Sequence, residues 1–404
     1  MRVMAAVVCS GLILVGAASA QDSMNVRCIG GCALTAFATD VAVSGEYAYV
    51  ACQDSDGLAI VSIGSGEPVQ VVGRVRTPDA ALGLAVAGEY AYVAADNAGL
   101  RIISVLDPTT PTEVGYCDTP GRARDVDVEG EYAYVSDESS GLRVISISDP
   151  AYPVEVGHCD SVSLAQGVIV LGEHAYVVSL GGGFFVISVS DPAHPVTVGS
   201  CYASASDVAV QGRYAFVADA NACLRVVRIF DPFHPVEVAH WGSGECRGVS
   251  LDDSRAFVAA ASRGLRVISV SDPAHPAEVG YYVIPGLQGA SGVTAVGGYA
   301  YVAYDWRGLQ IFQYYGAGVE ESHEPQVTSP RLGPIIVRGV LRLSIDDCRV
   351  SNSELLDIGG RKALDLHPGA NDVSGLAPGI YFVRSEPSAV SRQPSVVTKV
   401  VVTR

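Results

Sequence analysis

Short apolar runs separated by polar turns recur along the chain at a nearly constant spacing. The clearest run is Tyr-Ala-Tyr-Val, whose copies and close variants begin at Tyr47, Tyr90, Tyr132, His174, Tyr214, Arg255 and Tyr299. The gaps between successive copies are 43, 42, 42, 40, 41 and 44 residues. A period in the low forties made of β-like runs is typical of a β-propeller, with one blade per period. The pattern therefore predicts an all-β fold that contains a seven-bladed β-propeller.

Within one period the pattern predicts four strands. In the third unit the apolar or alternating runs fall at 125–128, 132–135, 142–147 and 154–159. Tight turns separate them, and the last turn contains Asp149-Pro150, where proline fixes φ and removes an amide donor. The seventh unit stops after its third run, at Tyr314. We expect the N-terminal segment Met24–Cys28, which resembles Glu113–Cys117, to supply the missing strand and close the ring.

The repeated units resemble a known family. Segments such as Gly264-Leu265-Arg266-Val267-Ile268-Ser269-Val270-Ser271-Asp272-Pro273 are similar to the LVIVD repeat of bacterial and archaeal surface proteins, and the resemblance covers about three quarters of the chain. One departure is consistent, since the family usually has Asp where this chain has Ser104, Ser146, Ser188 and Ser269. The resemblance implies a secreted or surface propeller and carries over no shared catalytic activity.

The two ends of the chain predict an exported protein. Residues 1–20 have a positive start at Arg2, an apolar run and a small-residue site at Ala18-Ser19-Ala20, as a secretory signal peptide does. We predict the propeller over 21–318 and a linker over 319–330. No later segment is long and apolar enough to be a transmembrane segment. We therefore expect a secreted or outer-cell-surface location.

The C-terminal region, 331–404, has a different pattern of short strands between Gly and Pro turns. It predicts a small immunoglobulin-like β-sandwich. Leu355-Leu356-Asp357-Ile358-Gly359-Gly360-Arg361-Lys362 and Gly375-Leu376-Ala377-Pro378-Gly379-Ile380-Tyr381-Phe382-Val383 resemble the C-terminal sorting domain of type IX secretion cargo. That resemblance implies the secretion machinery as a partner. The alternative is an ordinary immunoglobulin-like accessory domain.

Charge is concentrated in the repeats. Residues 21–318 contain 15 Arg, no Lys and 33 Asp plus Glu, within a chain whose net charge is −17. Such an acidic body repels phosphate backbones, so nucleic acid is not an expected partner. Solubility outside the cell explains this balance more simply than a specific cationic partner does.

Candidate binding residues surround the mouth of the predicted channel. Seven residues before each Tyr-Ala-Tyr-Val copy stand Asp40, Gly83, Asp125, Gly167, Asp207, Gly248 and Gly292. The three carboxylates, with Arg124 and Arg247 beside the entry positions, are the candidate ligand contacts, and oxygen ligands of this kind suit Ca²⁺. The competing interpretation is that each Asp accepts local backbone amides.

Other repeated residues are interpreted as scaffold. Arg101, Arg143, Arg225 and Arg266 share one register and are expected to lie between blades and pair with the loop acids. The alternative is that they form a ring that binds carboxylates or sugars. His194, His234 and His275 recur in the Asp-Pro turns. Cys28, Cys117, Cys159 and Cys201 are assigned to one outer-strand position. The loop cysteines permit two possible disulfides, Cys32–Cys52 and Cys223–Cys246.

No catalytic or nucleotide-binding motif is present. The leading hypothesis is a non-enzymatic surface propeller that binds protein or glycan through its loops and uses no cofactor. The alternative is an extracellular hydrolase or lyase with a site at the channel mouth, Ca²⁺-dependent in one version. A structural module without a discrete ligand is a third interpretation.

Overall fold

A computed structural model describes residues 23–53, 57–64, 68–284 and 289–316, and seven strands between 335 and 402. The predicted signal peptide (1–20) and linker (319–330) lie outside the described residues. The chain divides into two compact units, Met1–Glu320 and Glu321–Arg404. No helix in the described part of the chain is long and apolar enough to span a membrane.

The first unit consists of seven antiparallel sheets, which are the blades of a propeller. The innermost strands are β3 (Ala38–Ser44), β7 (Gly83–Ala87), β11 (Asp125–Glu129), β15 (Ala165–Leu171), β19 (Ala205–Gln211), β23 (Gly248–Asp252) and β27 (Ala290–Val296). The second strands are β4 (Tyr47–Cys52), β8 (Tyr90–Ala94), β12 (Tyr132–Ser136), β16 (His174–Ser179), β20 (Tyr214–Asp219), β24 (Arg255–Ala259) and β28 (Tyr299–Tyr304).

The third strands are β5 (Gly57–Ser62), β9 (Leu100–Ser104), β13 (Leu142–Ser146), β17 (Gly183–Ser188), β21 (Cys223–Arg228), β25 (Leu265–Ser269) and β29 (Gly308–Tyr314). The outer strands of blades 1 to 6 are β6 (Gln70–Val75), β10 (Thr112–Cys117), β14 (Val154–Cys159), β18 (Val196–Cys201), β22 (Val236–Trp241) and β26 (Ala277–Tyr282). The loops between second and third strands, with the connections between blades, form what we call the loop face. The Asp-Pro turns form the turn face.

The Tyr-Ala-Tyr-Val runs are the second strands, and their apolar character follows from their place in the blade. In β12 the residues Ala133, Tyr134 and Val135 are all buried, because both faces of this strand pack against neighbouring blades. Leu142 and Val144 of blade 3, for example, share a core with Val168 and Val177 of blade 4. The core is therefore divided among the interfaces between blades.

The N-terminus closes the ring, as predicted, but in a different register. The strand β2 (Val26–Cys32) pairs antiparallel with β29 and becomes the outer strand of blade 7. Gly30 lies opposite Ile311 in the way that Gly115 lies opposite Ile102, so Cys32, and not Cys28, occupies the position of Cys117. The expected alignment was wrong by four residues because it did not place the strand's irregularity, which the structure puts between Cys28 and Gly30.

Outer-strand glycines let successive blades dock on the turn face. A methyl group on Gly115 would come within 2.1 Å of the Pro150 carbonyl oxygen of the next blade, and one on Gly157 within 2.2 Å of the Pro192 oxygen. Such contacts require glycine, since a Cβ cannot approach backbone this closely.

Blade 7 lacks the Asp-Pro turn that would pack against the outer-strand glycine of blade 6, and the N-terminal segment occupies that position. The short strand β1 (Ser23–Met24) pairs with β26. The Met24 carbonyl oxygen lies 3.1 Å from a methyl group placed on Gly280, and the Asn25 Nδ2 donates to the Val279 carbonyl oxygen at 2.8 Å.

The second unit is also all-β in its described part. The strands β30 (Ile335–Val337), β32 (Ser353–Asp357), β33 (Lys362–Leu366), β35 (Gly379–Ser385) and β36 (Val397–Val402) form a five-stranded sheet. A separate pair consists of β31 (Val340–Leu343) and β34 (Gly369–Asp372). The strand order in the larger sheet is β30-β36-β35-β32-β33, with β30 parallel to β36 and the other pairs antiparallel.

Candidate functional site

The three candidate aspartates lie within the first three residues of the innermost strands of blades 1, 3 and 5, where they connect neighbouring blades. Asp125 accepts hydrogen bonds from the Val126 amide at 2.8 Å and from the Val168 amide of blade 4 at 3.0 Å. Asp207 does the same with Val208 and Val249, both at 2.7 Å.

Asp40 also reaches the next blade, where its Oδ2 accepts from the Leu84 amide at 3.1 Å. Each carboxylate therefore joins two blades through backbone amides. This is the scaffold role that the sequence left open as the competing interpretation.

The glycines between the aspartates provide the room for them. A methyl group on Gly83 would come within 2.6 Å of the Asp125 Oδ1, and one on Gly292 within 2.5 Å of the Asp40 Oδ1. Aspartate and glycine thus alternate around the channel because the inner ends of the blades are too close for a side chain on every strand. Seven is an odd number, so two glycines, Gly248 and Gly292, follow one another.

The three carboxyl groups influence one another electrostatically. Burial raises the pKa of Asp40 to about 6 and the pKa of Asp207 to about 7. Burial also raises the pKa of Asp125 well above its ordinary value, and the charges of Asp40 and Asp207 raise it further. The backbone amides oppose these shifts because they favour the ionised form.

The oxygens of these carboxylates are occupied by backbone donors, which does not favour a chelating arrangement. Within the described residues, no group of three or more His, Cys, Asp or Glu side chains is placed to hold a metal ion. The candidate Ca²⁺ ligands Asp40, Asp125 and Asp207 are thus brought near one another as carboxyl groups that accept backbone amides, and Ca²⁺ binding stays a prediction.

The two candidate arginines lie on the loop face and are paired with glutamates. The Arg124 Nη2 lies 2.7 Å from Glu138 Oε1, and the Arg247 Nε lies 2.7 Å from Glu245 Oε1. Beside Arg124, the Arg122 Nη2 donates to Asp96 Oδ2 at 2.6 Å. The structure does not bring Arg124 or Arg247 into hydrogen-bond contact with the three channel aspartates.

Acidic residues of the loops between second and third strands occupy two adjacent sequence positions, and the two positions have different roles. Asp137 and Asp219 are fully buried and bind loop amides, for example the Gly121 amide at 2.7 Å from Asp137. At the next position Asp96 and Asp305 have positive φ values of 44° and 28°. Asp54 and Asp56 lie outside the described residues.

This second position has a constant backbone and a varying side chain. The carbonyl oxygens of Asp96, Glu138, Ala261 and Asp305 each accept a hydrogen bond from the amide that begins the next blade, at 2.9, 2.9, 3.4 and 3.0 Å. The same backbone geometry thus carries an acidic side chain in blades 2, 3 and 7 and the methyl group of alanine in blade 6.

The shared-register arginines are buried or partly buried, and their carboxylate partners belong to their own blade or to the connection that follows it. The expected pairing with loop acids is found for Arg143 with Asp137 and for Arg225 with Asp219. Arg101 pairs with Glu113 and Asp118, Arg143 with Glu155 and Asp160, and Arg225 with Asp219 and Glu237. Arg266 pairs with Glu278.

The repeated histidines contact the aspartate of their own turn. Distances from Nδ1 of His194, His234 and His275 to that aspartate are 2.9, 2.9 and 2.8 Å.

Of the two possible disulfides, the structure contains one. Cys223 and Cys246 are bonded and connect the second loop of blade 5 to the segment that enters blade 6. Cys32 keeps a free thiol, so the Cys32–Cys52 bond is absent. The corrected register explains this, because Cys32 ends the outer strand of blade 7 whereas Cys52 ends the second strand of blade 1.

Sequence reasoning missed an aromatic pair on the loop face, in which Trp306 is exposed and Phe37 is partly buried. Trp306 is 67% exposed, and its ring meets Phe37 edge-on with centroids 5.5 Å apart. The sequence contained a signal for this pair. When the loops of blades 2 and 7 are aligned, Trp306 takes the place of the small polar residue Asn97.

Fold and loop geometry together define a seven-bladed β-propeller. The LVIVD repeat model matches seven segments, which together span more than half of the chain: 37–68, 80–119, 120–161, 164–203, 202–241, 243–283 and 289–312. The chain belongs to the LVIVD repeat family. No curated protein matches it.

Solved structures share the fold at low sequence identity. The β-propeller domain of Myceliophteria thermophila Cps50 (Swd1) is 11% identical with a TM-score of 0.57, and the match covers 69% of this chain and 97% of that one. A functionally unknown protein from Desulfotomaculum acetoxidans is 15% identical with a TM-score of 0.53, covering 62% and 86%. The computationally designed protein Ika8 is 7% identical with a TM-score of 0.52, covering 70% and 98%.

Proposed function

We propose that the protein is a non-enzymatic binding module whose ligand, a protein or a glycan, docks on the loop face of the propeller. The observation that carries this proposal is the exposed Trp306, which is supported by Phe37 at a position where other blades have small residues. Tryptophan is enriched among residues that dominate binding energy, and its large rigid surface costs little ordering entropy.

The test is a panel screen of the exported full-length protein against glycans and surface proteins. Any ligand found is then titrated against the Trp306→Ala variant. The matched control is Tyr152→Ala, because Tyr152 is 77% exposed but belongs to an Asp-Pro turn on the opposite face. We expect Trp306→Ala to lose at least about tenfold in affinity, as for a binding hot spot. Equal losses in both variants would contradict loop-face docking.

Export and surface location belong to the same proposal. The apolar start of the chain and the sorting-domain resemblance of 331–404 support a secreted or surface protein that the secretion machinery recognises through its C-terminal region. Mass spectrometry of the protein recovered outside the cell tests both points. Recovery of unprocessed chain from inside the cell alone would argue against export.

A hydrolase or lyase at the channel mouth is the second candidate. The elevated pKa values of Asp40 and Asp207 favour it, because groups that titrate near neutrality can act as acids or bases. Calorimetry with Ca²⁺ on the wild type and on Asp125→Ala tests the metal-dependent version. An absence of heat in both proteins would count against that version.

A further inference from the structure

Blade 6 differs from the other arginine-bearing blades in its balance of charge. In blades 2, 3 and 5 the third-strand arginine has at least two carboxylate partners, and Arg143 of blade 3 has Asp137 as a third at 3.7 Å. One is a glutamate of the outer strand: Glu113, Glu155 or Glu237. Another is an aspartate near the loop face, at 2.9 Å for Asp118, 2.8 Å for Asp160 and 2.8 Å for Asp219.

Arg266 of blade 6 retains the glutamate and lacks the aspartate. Its Nη1 lies 3.0 Å from Glu278 Oε1. Its Nε is buried without an acceptor, as are those of Arg101 and Arg143, so the difference in blade 6 lies in the missing aspartate. The Nη2 atoms of Arg101 and Arg143 donate to Asp118 and Asp160, whereas the Arg266 Nη2 has no such partner among the described residues.

The strand registers show where the aspartate is missing. Leu265 pairs with Ala259 and Tyr282 in the way that Leu142 pairs with Ser136 and Cys159. Val283 therefore stands at the position of Asp160, and Ala260 at the position of Asp137 and Asp219. The connection over 283–289 contains no acidic residue that could replace them.

Blade 6 also adds a second arginine beside the first. Arg263 stands where the other arginine-bearing blades have Ala98, Ser140 and Ala222. It is partly buried, and its Nη2 contacts the Cys246 sulfur at 3.4 Å, which is a weak acceptor. Burial and the neighbouring Arg266 guanidinium lower the pKa of Arg263. Two close cations thus share one carboxylate, Glu278.

The Arg266 side chain is slightly more exposed than its counterparts. Its side chain is 16% exposed, whereas those of Arg101, Arg143 and Arg225 are 8%, 7% and 13% exposed. A partly desolvated cation that lacks its second counter-ion attracts an anion, and a guanidinium matches a carboxylate in shape and hydrogen-bonding geometry.

We propose that Arg266, with Arg263 beside it, binds a carboxylate group of an acidic ligand at the position where the other blades carry their own aspartate. The ligand completes in blade 6 the ion pair that Asp118 and Asp160 complete in blades 2 and 3. This assignment rests on the proposed binding role of the loop face and adds the chemical class of the ligand.

Arginine side-chain NMR of the full-length protein provides the test. The Nε–H signal of Arg266 is assigned by its absence in Arg266→Gln. Titration with acetate, as the bare carboxylate, should shift this signal saturably, and D-glucuronate should do so while neutral D-glucose does not. In Arg266→Gln, where that signal is absent, the Nε–H signal of the neighbouring Arg263 is the reporter, and the acetate affinity should be about 10- to 100-fold weaker, which is the usual effect of losing a hydrogen bond to a charged group.

The decisive variant is Val283→Asp, which restores the aspartate of blades 2 and 3. Asp118 and Asp160 are largely exposed, so a side chain at this position does not have to enter the core. We expect Val283→Asp to abolish the acetate response and raise the unfolding temperature. Val283→Asn, which has the same shape without the charge, should keep the response.

Several outcomes overturn the carboxylate site: no saturable shift with acetate, an equal shift with chloride at the same ionic strength, or an undiminished response in Val283→Asp. Loop-face docking is judged separately. A panel ligand that depends on Trp306 supports docking even if acetate fails to bind. A ligand whose affinity is unchanged in Trp306→Ala would contradict loop-face docking. The conclusion from the acetate titration would not be affected.

Discussion

Gly292 lies so close to Asp40 that a methyl group on the glycine would be 2.5 Å from the Asp40 Oδ1 and 2.6 Å from the Asp40 Cα. The contact joins the last blade to the first. It shows that the difference between aspartate and glycine copies at the channel mouth follows from packing between blades.

Replacing this glycine should therefore strain the closure of the ring. We expect Gly292→Ala to lower the free energy of unfolding by about 1–3 kcal/mol, as overpacking usually does. Chemical denaturation monitored by tryptophan fluorescence provides the measurement. Gly30→Ala is the control, because the nearest atom to its added methyl group is 3.6 Å away. Equal effects of the two substitutions would refute the packing argument.

Stability should depend on pH through the channel aspartates. The native pKa values of about 6 for Asp40 and about 7 for Asp207 lie above the ordinary value of 3.8, so the folded protein holds these protons more tightly than the unfolded chain. Their contribution is fully present below pH 3.8 and is lost as the pH rises through 6 to 7.

We therefore expect the free energy of unfolding to fall between pH 5 and pH 8, by about 1.4 kcal/mol per pH unit for each of the two carboxyl groups until its native pKa is passed. The Asp207→Asn variant should show a smaller decrease over that range. A stability that rises from pH 5 to pH 8 in the wild type would be inconsistent with carboxyl groups that protonate near neutrality.

The disulfide should stabilise the loop face of blades 5 and 6. The bonded residues are 23 positions apart, and closing a loop of this size contributes about 3 kcal/mol in the chain-entropy model. We expect the double variant Cys223→Ser, Cys246→Ser to unfold at lower temperature and the wild type to respond to reductant. Cys32→Ser serves as the control, since its thiol is free. Peptide mapping without reductant should recover the linked peptides.

Truncation should separate the two roles of the N-terminus. Removal of residues up to Asn25 deletes β1 and the Asn25–Val279 hydrogen bond, and it should cost about 1–2 kcal/mol while the ring stays closed. Removal up to Cys32 also deletes β2 and exposes the edge of β29. Calorimetry of the second variant should show loss of the single cooperative transition. Retention of wild-type unfolding would exclude closure by β2.

Periodicity was sufficient to predict the blades, because every unit repeats the same burial pattern. It could not place the N-terminal strand exactly. The predicted alignment matched Cys28 with Cys117, whereas in the structure the irregularity before Gly30 sets the register and places Cys32 there. The Cys32–Cys52 disulfide failed for the same reason. The alternation of Asp and Gly was visible in the sequence, but its cause was not, since it depends on distances between blades far apart in the chain.

The candidate site was less predictable than the fold. Asp40, Asp125 and Asp207 attracted attention because they are acidic and repeated, yet they bind backbone amides. Trp306 and Arg263 interrupt the repeat instead, and a search for conserved positions among the units passes over them. Interruptions matter here because the scaffold holds the backbone constant, so a changed side chain alters the surface without altering the fold.

The strand Ser23–Met24 takes the place of the Asp-Pro turn that blade 7 lacks, and this has a consequence for the order of folding. The sixth and seventh blades complete their interface only with residues from the start of the chain, and β2 pairs with a strand about 280 residues away. Such a distant pairing is among the slowest contacts to form. We therefore expect β2 to be the last strand to pair, although it is synthesised before the other strands of its blade.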